Sequence, residues 1–306
     1  MYLQHFGLRE PPFSLTPDTG FFFAWRSHQE ALNVLLVALN NGEGFLKVTG
    51  EVGLGKTLLC RKLLNALKDP FVTAYIPNPH LSPGAMRQAI VDDLGIETNA
   101  RATQNDIVRA MTRKLIELAR AGKRVVVILD EAQELPEKTL EAVRLLTNLE
   151  TEKRKLLQVV LFGQPELDRR LEAPGLRQLR QRITFSYTLA PLDENGVNHY
   201  VRHRLNVAGH RGGGLFESAA LKRIFRASGG TPRLVNILCH KALMAAYGRG
   251  VERVDANHAA LAVRDTEGAF RSRFAWWPPA RWWAIGAPFA AIALLSAWLA
   301  QGAWLP

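Results

Sequence analysis

GEVGLGKT, residues 50–57, decides how this chain is read. It fits G-x-x-x-x-G-K-[ST] at every fixed position, follows the apolar run FLKVT (45–49) and opens the helical pattern TLLCRKLLNAL (57–67). A strand that ends in a glycine loop and turns directly into a helix is the context in which this pattern carries chemistry. Gly50, Gly53 and Gly55 free the backbone to fold tightly, so that the N–H groups of Glu51, Val52, Leu54 and their neighbours surround phosphate oxygens. The helix opening at Lys56, Thr57 and Leu58 adds the favourable end of its dipole. Lys56 supplies positive charge for β- and γ-phosphates, and the Thr57 hydroxyl is a ligand for Mg²⁺. Cys60, on the same helix, reads as core rather than as a nucleophile.

Outward from the loop, apolar runs alternate with helical patterns. The runs are FLKVT (45–49), FVTAY (71–75), RVVVIL (124–129), LLQVVLF (156–162) and ITFSYTL (183–189). Alternation of this kind predicts an α/β fold with a parallel sheet covered on both faces. Ser27 with Glu30 three residues later has capping-box spacing and predicts a helix over 27–41. The run at 124–129 ends in Asp130-Glu131. Placed beside the phosphate-loop strand, it delivers two carboxylates to the sheet edge where such folds bind ligands. Asp130 is positioned to hold Mg²⁺ through water, and Glu131 to orient or deprotonate an attacking water. Residues 191–267 lose the strand pattern and read as three or four helices.

The chain has 306 residues, and its 47% hydrophobic and 22% charged content excludes disorder as the main state. The two cysteines, Cys60 and Cys239, exclude a disulfide framework and lack zinc spacing. Net charge is +11, with arginine outnumbering lysine 28 to 11, which favours an anionic partner. Met1–Pro12 has no secretory-signal pattern. Trp282–Ala300 is 19 residues without a charge. As a helix it would extend roughly 28 Å, against a bilayer core of about 30 Å. Tryptophans flank it, and Arg271, Arg273 and Arg281 precede it. This pattern predicts a single transmembrane helix with the bulk of the chain on the cytoplasmic side.

Taken together, the loop and the carboxylate pair resemble those of the AAA+ ATPases. The resemblance implies ATP as ligand, with Mg²⁺, and hydrolysis to ADP and phosphate. It assigns Gln164, at the end of LLQVVLFGQ, as a γ-phosphate sensor where the class usually keeps Asn, Ser or Thr. Arg182, before ITFSYTL, takes the position of an arginine that reaches a neighbouring subunit's nucleotide, with Arg180 as the alternative. Arg233 in GGTPR (229–233) corresponds to a second sensor on a helical lid. The helix carrying His28, with the aromatic residues before it, frames the adenine or simply packs the core, and Asn78 could restrain Glu131. Arginines that work in trans imply a homo-oligomer formed on ATP binding.

The chain is also similar to the ExeA/GspA-type ATPases of bacterial secretion and pilus systems. FGLREPPFSLTPDTGFFF, LDEAQELPEKTLEAVRLLTNLET (129–151) and GGTPRLVNILCHKAL carry the likeness over roughly residues 1–265. It implies a nucleotide-binding unit over 1–190 with an N-terminal extension, a helical lid over 191–267, a basic linker over 268–281 and a transmembrane helix over 282–302. It further implies an inner-membrane ATPase assisting a type IV (mannose-sensitive haemagglutinin-like) pilus or a type II secretion apparatus. Many members carry a peptidoglycan-binding domain beyond the membrane helix. Without one here, a partner membrane protein is expected to supply wall contact. The alternative is a DNA-associated AAA+ ATPase of the transposition-regulator or initiator-like kind, but a membrane segment makes nucleic acid an unexpected partner.

Overall fold

The computed structural model describes residues 2–77, 80–99, 101–150 and 155–269. The expected transmembrane helix at 282–302 and most of the basic linker lie outside the described residues. Among the described residues no helix is long and apolar enough to cross a membrane.

A short helix α1 (Tyr2–His5) and an extended segment lead into α2 (Arg26–Asn40). Then β1 (Phe45–Thr49), α3 (Lys56–Ala66), β2 (Phe71–Ile76), α4 (Pro83–Asp93), α5 (Gln104–Arg120) and β3 (Arg124–Leu129) follow in order. After these come α6 (Glu137–Leu146), β4 (Leu157–Gly163), α7 (Pro165–Leu171), α8 (Arg177–Arg182) and β5 (Phe185–Thr188). Four further helices complete the described chain: α9 (Glu194–Val207), α10 (Ser218–Ser228), α11 (Pro232–Gly248) and α12 (Ala256–Arg264).

All strand pairs are parallel, in the order β2-β3-β4-β1-β5. The strand carrying the carboxylates is therefore not beside the phosphate-loop strand, as the sequence suggested; β4 runs between them. An apolar run without alternation says that both faces of a strand are covered, but it does not name the neighbouring strand. The consequence is functional, because the end of β4 now lies between the loop and the carboxylate pair.

The sheet's two faces close two cores. Phe45, Val125, Val127, Leu129, Val159 and Leu161 pack one face against α4, α5 and α6. Leu46, Val48, Val126, Ile128, Val160 and Phe162 pack the other against α2 and α3. Full burial of each such side chain contributes about 1.5–3 kcal/mol. Cys60 belongs to this second core, and burial pushes its thiol pKa up, so it is an inert packing residue.

The third core is helical. Val197, Tyr200, Val201, Val235, Leu238, Cys239 and Leu243 form it, together with Phe6, Leu8, Phe13 and Phe21 from the start of the chain. The N-terminal aromatic residues thus pack with helices that follow them by about two hundred positions. That arrangement takes the N-terminal segment past the phosphate loop, where Ser14–Asp18 line the same cavity.

One local expectation is corrected. Helix α2 begins at Arg26 after Trp25 and has no side-chain cap. Ser27 Oγ instead accepts the Ala190 N–H at 3.0 Å, and Glu30 accepts the Tyr187 hydroxyl at 2.8 Å. Tertiary partners arriving from β5 have taken both side chains of the would-be capping box.

Candidate functional site

The phosphate loop adopts the shape its glycines permit. Gly53 and Gly55 lie in the left-handed region at φ 83° and 91°, and Gly55 is the residue from which α3 starts. The Gly50 N–H donates to the Gly163 carbonyl at 3.2 Å, which ties the loop to the end of β4. Lys56 is 5% exposed, and its Nζ donates to the Gly50 and Glu51 carbonyls at 2.7 and 3.0 Å. Burial lowers its pKa, while the carboxylates of Glu131, Asp130, Glu51 and Glu166 oppose that shift. The ammonium is thus curled into its own loop, held by neutral carbonyls that an anion can replace.

Asp130 is 2% exposed at the end of β3. Burial raises its pKa, partly offset by hydrogen bonds from the Thr57 side chain and from the Glu131 N–H, the latter at 3.0 Å. A hydroxyl and a carboxylate in contact behind the loop form an oxygen donor set of the kind that suits Mg²⁺. Among the described residues no group of three or more His, Cys, Asp or Glu could hold a metal by itself, so a cation here would complete its shell with phosphate and water.

Glu131 has φ 50°, the one non-glycine residue with positive φ among those described. Strain of this sort, typically about 1–3 kcal/mol, persists where surrounding contacts impose it. Gln133 Nε2 and Gln164 Nε2 both donate to Glu131 Oε2, at 2.7 and 3.2 Å. The Gln164 N–H in turn donates to Gln133 Oε1 at 2.9 Å. Two amides from different elements therefore fix one carboxylate oxygen. Gly163 makes room for this, since a Cβ there would lie 3.3 Å from Gln133 Oε1 and 2.8 Å from Leu167 Cδ2.

The helical part closes the site from the other side. The Arg233 N–H, in the first turn of α11, donates to the Gly53 carbonyl at 3.2 Å. A Cβ on Gly53 would meet Arg233 Cβ at 2.8 Å, so the start of α11 and the loop are in direct contact. Between them is a cavity of about 400 Å³ whose lining includes Lys56, Thr57, Glu131, Gln164, Arg204 and Arg233. Val52, Gly53, Gly55 and Leu58 also line it, as does the segment Ser14–Asp18. A smaller void of about 40 Å³ adjoins at Gly55, among Phe22, Phe23, His28, Leu54, Leu192 and Pro232. His28 is buried there, with Nε2 2.7 Å from the Leu54 carbonyl and Nδ1 without a hydrogen-bond partner. Burial depresses its pKa, against the raising effect of that carbonyl.

Most residues singled out in the sequence therefore converge. Gly50, Glu51 and Leu54 shape the loop, and Asp130 stands behind the cavity wall. Arg182 does not join them: its guanidinium donates to Thr147 Oγ1 at 2.9 Å and to the Arg144 carbonyl at 3.3 Å, on α6 and its end. Arg180, two residues earlier, is exposed. Asn78 lies outside the described residues. Sequence reading missed Gln133, the Ser14–Asp18 segment, Tyr200, Arg204 and Asn236. Only Gln133 had a local signal, as a polar side chain two residues after Glu131.

A family model described as an AAA domain matches residues 39–171. Over 268 residues, 88% of this chain, the sequence is 45% identical to General secretion pathway protein A of Aeromonas hydrophila. The match spans 49% of that protein, so this chain corresponds to about half its length. Among solved structures, the Orc2 protein of Aeropyrum pernix, in ADPNP–ADP complexes, superposes with a TM-score of 0.59 at 18% identity, covering 82% of this chain and 72% of that one. The Cdc6p structure of Pyrobaculum aerophilum gives 0.61 at 20% identity, covering 79% and 67%. These likenesses establish a P-loop AAA-type α/β fold and no more.

Proposed function

We propose, from the premise that this chain carries an AAA domain and is a homologue of General secretion pathway protein A, that it is a Mg²⁺-dependent ATPase serving a bacterial envelope-spanning assembly. The single observation that carries the enzymatic reading is the meeting, around one cavity, of the phosphate loop, the Asp130–Glu131 pair and the lid's Arg233.

In this reading the phosphates lie along the loop, where Lys56 exchanges its two loop carbonyls for β- and γ-phosphate oxygens. Thr57 and Asp130 would hold Mg²⁺, which supplies neutralisation of charge developing on the phosphates. Glu131, its Oε2 fixed by two amides, accepts a proton from the attacking water through its other oxygen. Gln164 faces the γ-phosphate from the end of β4, and Arg233 meets the phosphates from the lid. The aromatic residues beside Gly55 would face the adenine, the void of about 40 Å³ among them having to widen to take the base. His28 donates from Nε2 to Leu54, which leaves Nδ1 as an acceptor toward an exocyclic amine.

The larger role rests on the relative's name and the tail of the sequence. We place the ATPase unit on the cytoplasmic side of the bacterial inner membrane, held by the apolar segment 282–302. It would assist a type II secretion apparatus or a type IV pilus of the mannose-sensitive haemagglutinin kind, with a membrane partner contacting peptidoglycan. Units 1–190 and 191–267 act as nucleotide-binding domain and lid. ATP draws copies together, and Arg180, exposed where Arg182 is engaged, is the better residue to reach a neighbour.

Phosphate release by the purified chain, compared with Lys56→Ala and Glu131→Gln, tests the activity. Turnover lost in both, with ATP still bound by Glu131→Gln, supports the reading; equal turnover in all three refutes it. A DNA-associated AAA+ ATPase is the second reading, favoured by the net charge of +11. Salt-dependent DNA binding without pelleting alongside membranes would select it.

A further inference from the structure

Arg204, on α9, is 5% exposed and has no carboxylate in contact among the described residues. A buried guanidinium is costly unless its donors are used. Here Nε donates to the Pro12 carbonyl, one terminal nitrogen donates to the Ser14 carbonyl at 3.2 Å and the other to the Tyr200 hydroxyl at 3.0 Å. The group also lies over the Phe21 ring, 4.6 Å from its centroid. Two of its three partners are thus backbone carbonyls of one N-terminal segment. The far end of that segment is held from the opposite layer: Arg61, on the helix that leaves the phosphate loop, donates to the Pro17 carbonyl at 2.6 Å. Asp18 then turns the chain by accepting the Gly20 N–H at 2.7 Å. Ser14–Asp18, which include the anchor points Ser14 and Pro17, line the cavity together with Lys56 and Thr57.

We infer that Arg204 and Arg61 are a pair of clamps that hold Ser14–Asp18 as a wall of the nucleotide cavity, one from the lid and one from the sheet layer, and so set nucleotide affinity. The inference rests on the nucleotide reading of the cavity and adds to it which residues position the wall. Both clamps act on carbonyls, so the wall's position depends on the arginines more than on the side chains of the segment. Arg204 and Arg61 are positioning residues, acting on the ligand through the segment.

The test uses the full chain in detergent, with Arg204→Lys and Arg61→Ala beside the wild type and Lys56→Ala. Lysine keeps the charge of Arg204, but its compact ammonium lacks the planar fork whose three nitrogens reach Pro12, Ser14 and Tyr200 separately. Arg61 is exposed, so its truncation leaves the cores intact. Equilibrium titration with Mg-ADP should show about tenfold weaker binding for Arg204→Lys and about fivefold for Arg61→Ala, since the first loses the forked donation to two carbonyls of the segment and the second the one charged bond to Pro17. KM for ATP should rise by the same factors, with kcat changing less. Hydrogen exchange at the amides of Ser14, Leu15, Thr16 and Asp18 should quicken in both variants, with ADP present. Affinities within about twofold of the wild type, or wall amides exchanging at the wild-type rate, would overturn the inference. Wild-type ADP binding that Lys56→Ala does not reduce would instead refute the nucleotide reading, while the exchange rates would still report on the clamps.

Discussion

Gly53 offers a test in which geometry sets the magnitude. Its φ is +83°, and an added Cβ would lie 2.8 Å from Arg233 Cβ and 3.1 Å from Thr231 Cγ2. Gly53→Ala therefore carries two penalties. A left-handed backbone costs an L-residue about 1–2 kcal/mol. Overpacking against atoms close to a backbone, which cannot swing away, adds about 1–3 kcal/mol. Gly55→Ala is the control two residues on. Its φ is +91°, but its nearest contact is His28 Nε2 at 3.5 Å, an ordinary distance. Only the backbone penalty applies there. Gly53→Ala should consequently be the less stable of the two by about 1–3 kcal/mol. Urea unfolding of the nucleotide-free chain measures this as a difference in midpoint at equal slope. The excess should also appear as weaker nucleotide binding, because the lid must back away from the loop to admit the methyl group. Equal midpoints for the two variants would show that α11 does not rest on the loop, and the reasoning would fail with it.

Other expected outcomes follow from the same geometry. Gln133→Ala leaves Glu131 Oε2 with one amide donor in place of two, so kcat for phosphate release should fall about tenfold with KM little changed. Asp130→Asn should stabilise the nucleotide-free fold at neutral pH. The carboxyl's folded pKa is raised above 3.8, so its ionised form destabilises the fold increasingly as pH rises through that folded value. The stability gap between variant and wild type should close as pH falls toward 3.8, which melting curves across pH will show. Arg182→Ala loses two hydrogen bonds on α6 and its end and should cost about 1 kcal/mol of stability in urea titrations. Arg180→Ala should leave stability within about 0.5 kcal/mol yet abolish any rise of specific ATPase activity with protein concentration.

What the sequence revealed was mostly local. GEVGLGKT and LDEAQ declare their chemistry within a few residues, because the loop and the strand-end carboxylates are set by adjacent backbone. The central strands β3 and β4 were legible as nearly unbroken apolar runs for the same reason. The order of those strands was not, since β4 enters between β1 and β3 through side-chain packing on both faces. Ser27 looked like a cap until Tyr187 and Ala190, about 160 positions away, took its hydroxyl. Arg204 bonds a segment 192 and 190 residues earlier, and nothing in its own neighbourhood marks it. Arg182 stood in a run of arginines whose individual directions only α6 decides. Conversely, Gly163 was visible as a strand-ending residue, while its purpose, clearance for Gln133 and Leu167, needed the fold.

If the reading is right, the cavity between the phosphate loop and α11 binds Mg-ATP through Lys56. Calorimetric titration of ATP with Mg²⁺ into the chain and into Lys56→Ala measures it directly. The wild type should give a saturable heat at one site per chain, and the variant none or a drastically weakened one. No heat with the wild type, or the same isotherm for both proteins, would contradict it.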